Sequence, residues 1–135
     1  MLDVLIVDDD PEIRRVLREA LEPLECRVSE AVNGREALPL VARREPDLMI
    51  VDVLMPEMDG LETIRYLRSE GHRMPIIAMP VGKYLTAERY SEFAKSFGAD
   101  EVLLKPFTQA DVLEVLGRVL GTGELNSASE SSAAG

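Results

Sequence analysis

Three four-residue runs, VLIV at 4–7, LMIV at 48–51 and IIAM at 76–79, are continuously apolar, and a stretch with helical spacing follows each one. Four residues are too few for a buried helix, and the lack of polar alternation means that both faces of such a strand are to be covered. Covering both faces takes helices on either side of the sheet, the arrangement of parallel strands joined by helical crossovers. The pattern therefore restricts the chain to an α/β fold before any single residue is considered.

The remaining segments keep the same rhythm. Pro11 suits a first helical turn, the aspartate before it can cap, and Ile13, Val16, Leu17, Ala20, Leu21 and Leu24 recur on one face, so a helix ending near Pro23 and Leu24 is expected. Residues 27–32 alternate as a more exposed strand. Asn33-Gly34 then turns into a helix over 35–44, where Pro39 removes a donor and predicts a kink or a short, irregular helix. Asp59-Gly60 precedes a helix over 61–69, closed by Gly71. The segment 80–84 delays a fourth helix, which Thr86 would cap, Gly98 would end and Tyr90, Phe93, Ala94 and Phe97 would anchor. Residues 102–104 read as the fifth strand. Thr108 and Asp111 have the spacing of a capping box ahead of a last helix with Val112, Leu113, Val115, Leu116, Val119 and Leu120 on its apolar face. Residues 1–121 read as one domain; 122–135, small and polar with no periodic apolar face, read as a flexible tail.

Charge narrows the function. With 25 acidic against 15 basic residues the net charge is -10, which repels phosphate backbones and anionic lipid, so neither direct nucleic-acid binding nor membrane insertion is expected. Cys26 is the single cysteine, the start of the chain has no signal-peptide pattern, and no apolar run approaches the ~18 residues of a membrane span, which together point to the cytoplasm.

Two of the buried runs stop at acids, VLIV at Asp8 and Asp9 and LMIV at Asp52. Ligands of parallel α/β sheets gather beyond the carboxyl ends of the strands, where these acids would meet if the first and third strands are neighbours. Carboxylates brought that close repel unless a cation compensates them, and hard oxygen donors suit Mg2+ better than zinc. Lys105 ends the fifth strand and can neutralise phosphoryl oxygens as a point charge. A carboxylate nucleophile with a metal and a lysine describes a phosphoryl-transfer site. Asp10, just before Pro11, reads as a cap, and Met49, Met55, Met58, Met74 and Met79 as packing.

The motifs VLIVDDDP, NGREAL at 33–38, DLMIVDVLMPEMDG at 47–60, PIIAM at 75–79, GAD at 98–100 and LLKPF at 103–107, in this order and spacing, resemble a bacterial response-regulator receiver domain over essentially residues 2–120. The resemblance implies a (βα)5 flavodoxin-like receiver fold with strand order 2-1-3-4-5. It implies that Asp52 accepts a phosphoryl group from a histidine kinase or histidine phosphotransfer protein in a two-component phosphorelay and signals to a downstream protein target. By position, Asp9 and Asp52 would contact Mg2+ directly, Asp8 largely through water, and Leu54 through its backbone carbonyl. Lys105 would pair with the phosphoryl group, and the Lys105-Pro106 bond would be cis. Without an output domain the chain would be a single-domain member that stores and relays phosphate, not an enzyme. An aspartyl phosphohydrolase ranks below this, since no second acid stands two residues after Asp52 and no substrate cap is evident.

Two positions depart from the family pattern. Pro80 stands where a Ser or Thr hydroxyl is usual, and Val102 where Tyr or Phe is common. Thr86 could replace the hydroxyl only if its loop folds back. The alternative function is therefore a degenerate receiver, a protein-binding module insensitive to phosphorylation. The longer segment 80–86 is expected to reshape the entrance to the fourth helix.

Overall fold

The computed structural model describes the backbone of residues 1–134 other than 56 and 84, and side chains as far as residue 121; the expected flexible tail, 122–135, lies outside the described side chains. Five strands and five helices alternate: β1 (Asp3–Val7), α1 (Pro11–Leu21), β2 (Arg27–Ala31), α2 (Gly34–Arg43), β3 (Leu48–Asp52), α3 (Gly60–Ser69), β4 (Ile76–Met79), α4 (Ala87–Phe97), β5 (Glu101–Val102) and α5 (Gln109–Ala134). The strands are parallel in the order β2-β1-β3-β4-β5. This is the expected five-stranded, doubly wound sheet.

Each apolar run feeds two cores because successive strand residues face opposite ways. Val4, Ile6, Leu48, Ile50, Ile77 and Met79 pack on one side, against Leu17 and Leu21 of α1 and Val112 and Leu116 of α5. Leu5, Val7, Met49, Val51, Ile76 and Ala78 pack on the other, against Ala37, Val41, Ile64, Leu67 and Ala94 of α2, α3 and α4. Full burial of a branched side chain contributes about 1.5–3 kcal/mol, so continuous runs rather than alternating ones are what a sheet covered on both faces requires.

The caps follow the sequence. Asp10 accepts from the Glu12 amide, Asn33 from Glu36, Asp59 from Glu62 and Thr86 from Arg89. Thr108 and Asp111 exchange the two bonds of a capping box. Gly98 ends α4 at φ 109, a left-handed conformation that a side chain would strain.

Four local expectations change. α1 stops at Leu21 and a 3-10 turn carries the chain to Leu24. α2 runs through Pro39 as one helix; the proline and Arg35, whose carbonyl the proline leaves without a helical partner, are both exposed, and solvent at an exposed residue can satisfy a free carbonyl. β5 covers only Glu101–Val102, although Leu103 beyond it is buried. On α4 only Tyr90 and Ala94 are buried, while Phe93 is 46% exposed, and on α5 Leu113 is 40% exposed. Gly121, with φ 82 and ψ 154, interrupts α5.

Candidate functional site

The register of β1 on β3 sets Val7 beside Val51, so Asp8 leaves β1 at the level where Asp52 ends β3. Asp8, Asp9 and Asp52 each bring a carboxylate oxygen within 4.8 Å of the others. Asp8 has no exposed surface, Asp52 is 7% exposed and Asp9 lies open to solvent. The Lys105 ammonium donates to Asp8 Oδ2 at 2.8 Å and lies 3.0 Å from Asp52 Oδ1. The three acids and the lysine singled out in the sequence therefore share one pocket.

Asp8 is the most constrained of them. Its second oxygen accepts from the Asp10 amide at 2.9 Å, its own amide donates to the Ala31 carbonyl at 3.1 Å, and its carbonyl accepts from Arg14 at 2.7 Å. With both carboxylate oxygens engaged, Asp8 braces the lysine, while Asp9 and Asp52 keep the more open oxygens. Asp10 caps α1 and stands outside the trio, as its place before Pro11 suggested.

Burial pushes the Asp52 carboxyl above its usual range, and the neighbouring Asp8 charge pushes the same way, against the Lys105 ammonium that favours ionisation. For Lys105, burial opposes the charged form, but its bonds to Asp8 and Asp52 outweigh that and raise its pKa. The pocket thus holds more negative charge than one ammonium relieves. Three hard carboxylate oxygens at this spacing could hold a metal ion, and a hard divalent cation fits the donor set.

Gly60 shapes the pocket in a way the sequence did not suggest. The chain after β3 returns so closely that a Cβ on Gly60 would lie 1.9 Å from the Asp52 carbonyl oxygen, while the Gly60 amide donates to Val53 at 2.9 Å. Asp59-Gly60 reads in sequence as a helix start; that its glycine also seats the Asp52 backbone has no local signal. Arg14, an ordinary helix arginine in sequence, holds the Asp8 carbonyl.

The remaining residues singled out in the sequence have their own surroundings. Leu54, singled out for its backbone carbonyl, follows Asp52 by two residues with its side chain 75% exposed. The Lys105-Pro106 peptide is cis. Thr86, which could stand in for a hydroxyl at position 80 only if its loop folded back, is exposed at the start of α4, where its oxygen accepts from the Arg89 amide. Pro80 instead extends the β4–β5 pairing: its carbonyl accepts from Lys105 N at 2.8 Å, and Val81 forms a parallel bridge with Lys105. Met49, Met74 and Met79 are buried in the two cores and Met55 packs against one of them. His72 pairs with Glu45, and Cys26, its thiol raised by burial, lies against the α1 side of the sheet, both apart from the acid trio.

The sequence model of the response regulator receiver domain matches residues 4–117. Response regulator MprA of Mycolicibacterium vanbaalenii is 41% identical over 110 residues, which cover 82% of this chain and 46% of that protein. Response regulator MprA of Mycobacterium leprae is 38% identical over 128 residues, 95% of this chain and 55% of that protein. The chain thus spans about half the length of the curated relatives it matches. The crystal structure of chemotaxis response regulator CheY4 of Vibrio cholerae superposes with a TM-score of 0.78 at 34% identity, covering 88% of this chain and 98% of that one.

Proposed function

The chain belongs to the response regulator receiver family of two-component signalling, and from that premise we propose that Asp52 is its phosphoacceptor, charged by a histidine kinase or histidine phosphotransfer protein in the cytoplasm. The observation that carries this reading is the Lys105 ammonium lodged between Asp8 and Asp52 beside the open carboxylate of Asp9.

In the transfer, an Asp52 carboxylate oxygen bonds to phosphorus as the P–N bond of the donor phosphohistidine breaks. The bonding pair returns to the imidazole nitrogen, and Asp52 is left as an acyl phosphate. Asp52 has to be ionised to attack, and within the pocket Lys105 favours that form against burial and against Asp8. Once Asp52 carries the phosphoryl group, the ammonium turns from its oxygen toward the phosphoryl oxygens, while Asp8 keeps the lysine in place. Asp9 and Asp52 would hold Mg2+ directly, with Asp8 through water and the Leu54 carbonyl as a further donor; when bound, the ion offsets charge on the phosphoryl oxygens. The chain stores the group and presents the altered surface to a downstream protein, rather than turning over a substrate.

Intact mass after incubation with Mg2+ and acetyl phosphate or phosphoramidate tests the reading. One phosphate adduct is expected, absent from Asp52→Ala; no adduct, or one that survives the substitution, rejects it. Pro80, with no hydroxyl to offer, and Thr86, exposed at the start of α4, favour a second reading, a receiver that binds partners with little phosphorylation-driven change. Spectral changes on adding beryllofluoride that stay within the acid pocket would support that reading, and large shifts across residues 80–105 would count against it.

A further inference from the structure

The buried hydroxyl of Tyr90 takes no part in the chemistry above. Tyr90 is 7% exposed on α4, and its hydroxyl donates to the Val81 carbonyl at 2.6 Å. Val81 lies beside the lysine of the site: it bridges to Lys105, whose amide donates to Pro80 at 2.8 Å and whose carbonyl accepts from the Gly82 amide at 2.9 Å. Gly82 lies close against Leu104, since an added Cβ would lie 3.0 Å from Leu104 Cβ. Bonded groups therefore run from Tyr90 through residues 80–82 to the Lys105 backbone, and from the Lys105 ammonium to Asp8 and Asp52. The ring of Tyr90 also joins Asp52, Pro80 and Val81 in lining a groove of about 480 Å³ beside the acids.

We propose that Tyr90 is a positioning residue that couples occupancy of the Asp52 site to α4, through its hydrogen bond to Val81 and the pairing of Val81 with Lys105. The inference rests on Asp52 as phosphoacceptor and adds how this chain transmits the event. Lys105 is engaged with two carboxylates in the unmodified protein. A phosphoryl group takes one of those oxygens and offers new ones farther out, so the ammonium moves and strain passes to a backbone pinned on both sides by residues 80 and 82. The Tyr90 bond is fully made before modification, so it favours the unmodified arrangement and resists the shift. By linkage, removing it eases binding of a phosphoryl mimic by the bond's net worth, about 2- to 13-fold in affinity.

The protein has three tyrosines, Tyr66, Tyr84 and Tyr90, so ring-labelled tyrosine gives three signals in carbon NMR, assignable with Tyr66→Phe and Tyr84→Phe. With Mg2+ and beryllofluoride, the Tyr90 signal is expected to shift, while that of Tyr66, 46% exposed on α3, stays in place. Tyr90→Phe is expected to bind beryllofluoride about 2- to 13-fold more tightly and to exchange the amides of residues 82 and 105 faster, with Tyr66→Phe unchanged in both. If beryllofluoride binds the wild type but leaves the Tyr90 signal unmoved, the coupling is overturned, even where Tyr90→Phe does not fold. Equal or weaker affinity in a folded Tyr90→Phe overturns it too. A wild type that takes neither beryllofluoride nor phosphate removes the phosphoacceptor reading beneath it, an outcome told apart by the mass experiment.

Discussion

Asp52→Asn removes one charge from the most crowded point of the pocket, and the sign of its effect on stability can be worked from distances. The carboxylate oxygens of Asp8 and Asp52 lie within 4.8 Å, so at an effective dielectric of about 20 they repel by at least about 3.5 kcal/mol. Asp9 is exposed, which reduces its share toward about 1 kcal/mol. The Lys105 ammonium at 3.0 Å from Asp52 returns about 5.5 kcal/mol of attraction on the same scale. Repulsion and attraction nearly cancel, and the cost of holding an ionised carboxylate out of water, several kcal/mol for a fully buried ion, decides the balance.

Asparagine keeps the shape and a hydrogen-bond acceptor for Lys105 but still buries a polar group. The net expectation is that Asp52→Asn is about 1–2 kcal/mol more stable than the wild type at neutral pH in a chelator, roughly 3–6 °C in Tm. Acid should erase the difference. The Asp52 carboxyl is raised in the folded protein, chiefly by burial, so its ionisation disfavours folding at pH above the folded-state value; as pH falls through that value the wild type takes up a proton and the gap closes. Urea unfolding across a pH series, in EDTA and then in Mg2+, measures this, and the ion should reverse the order, because only the wild type retains the full donor set. A variant no more stable than the wild type at neutral pH without metal, or a gap that widens on acidification, would refute the reasoning.

Other substitutions separate the roles of neighbouring residues. Lys105→Ala leaves the buried charges of Asp8 and Asp52 without their ammonium, and should cost about 3–5 kcal/mol in thermal unfolding without metal and less with Mg2+ present. Asp9→Ala should abolish the rise in Tm that Mg2+ gives the wild type. Asp10→Ala, one residue on, should lower stability by about 1 kcal/mol through the lost cap and leave the Mg2+ response intact. Gly60→Ala sets a methyl against the Asp52 carbonyl and should cost about 1–3 kcal/mol in urea unfolding while weakening beryllofluoride binding, because the backbone that carries Asp52 has to move.

What the sequence made legible and what it concealed differ in physical kind. The strands were readable because burial on both faces forces an uninterrupted apolar run, and the acids were conspicuous because each ends such a run. Caps were readable for a similar reason: Asp10, Asn33, Asp59, Thr86 and Thr108 act on amides two or three residues away. Pro39 misled because the cost of a helix-interior proline depends on whether water reaches the carbonyl it leaves unpaired, a property of the folded surface. Phe93 misled because helical spacing fixes which residues share a face, not how far that face is covered. Gly60 against the Asp52 backbone, Arg14 on the Asp8 carbonyl and Tyr90 on the Val81 carbonyl are contacts to main chain, which no side-chain pattern records.

That division also separates the chemistry of the pocket from its communication. The groups that would meet a cation or a phosphoryl oxygen are charged side chains at strand ends, brought together by the β1–β3 register and the position of Lys105 after β5. The groups that would carry the event outward are backbone atoms of residues 80–82 and 105, already tied into the sheet and reached from α4 by the Tyr90 hydroxyl. On the proposed coupling, a proline at position 80 leaves the site joined to its surroundings, because it offers its carbonyl to the Lys105 amide. A chain built this way can keep an acid pocket suited to phosphoryl transfer while its coupling route shifts from side chains to main chain.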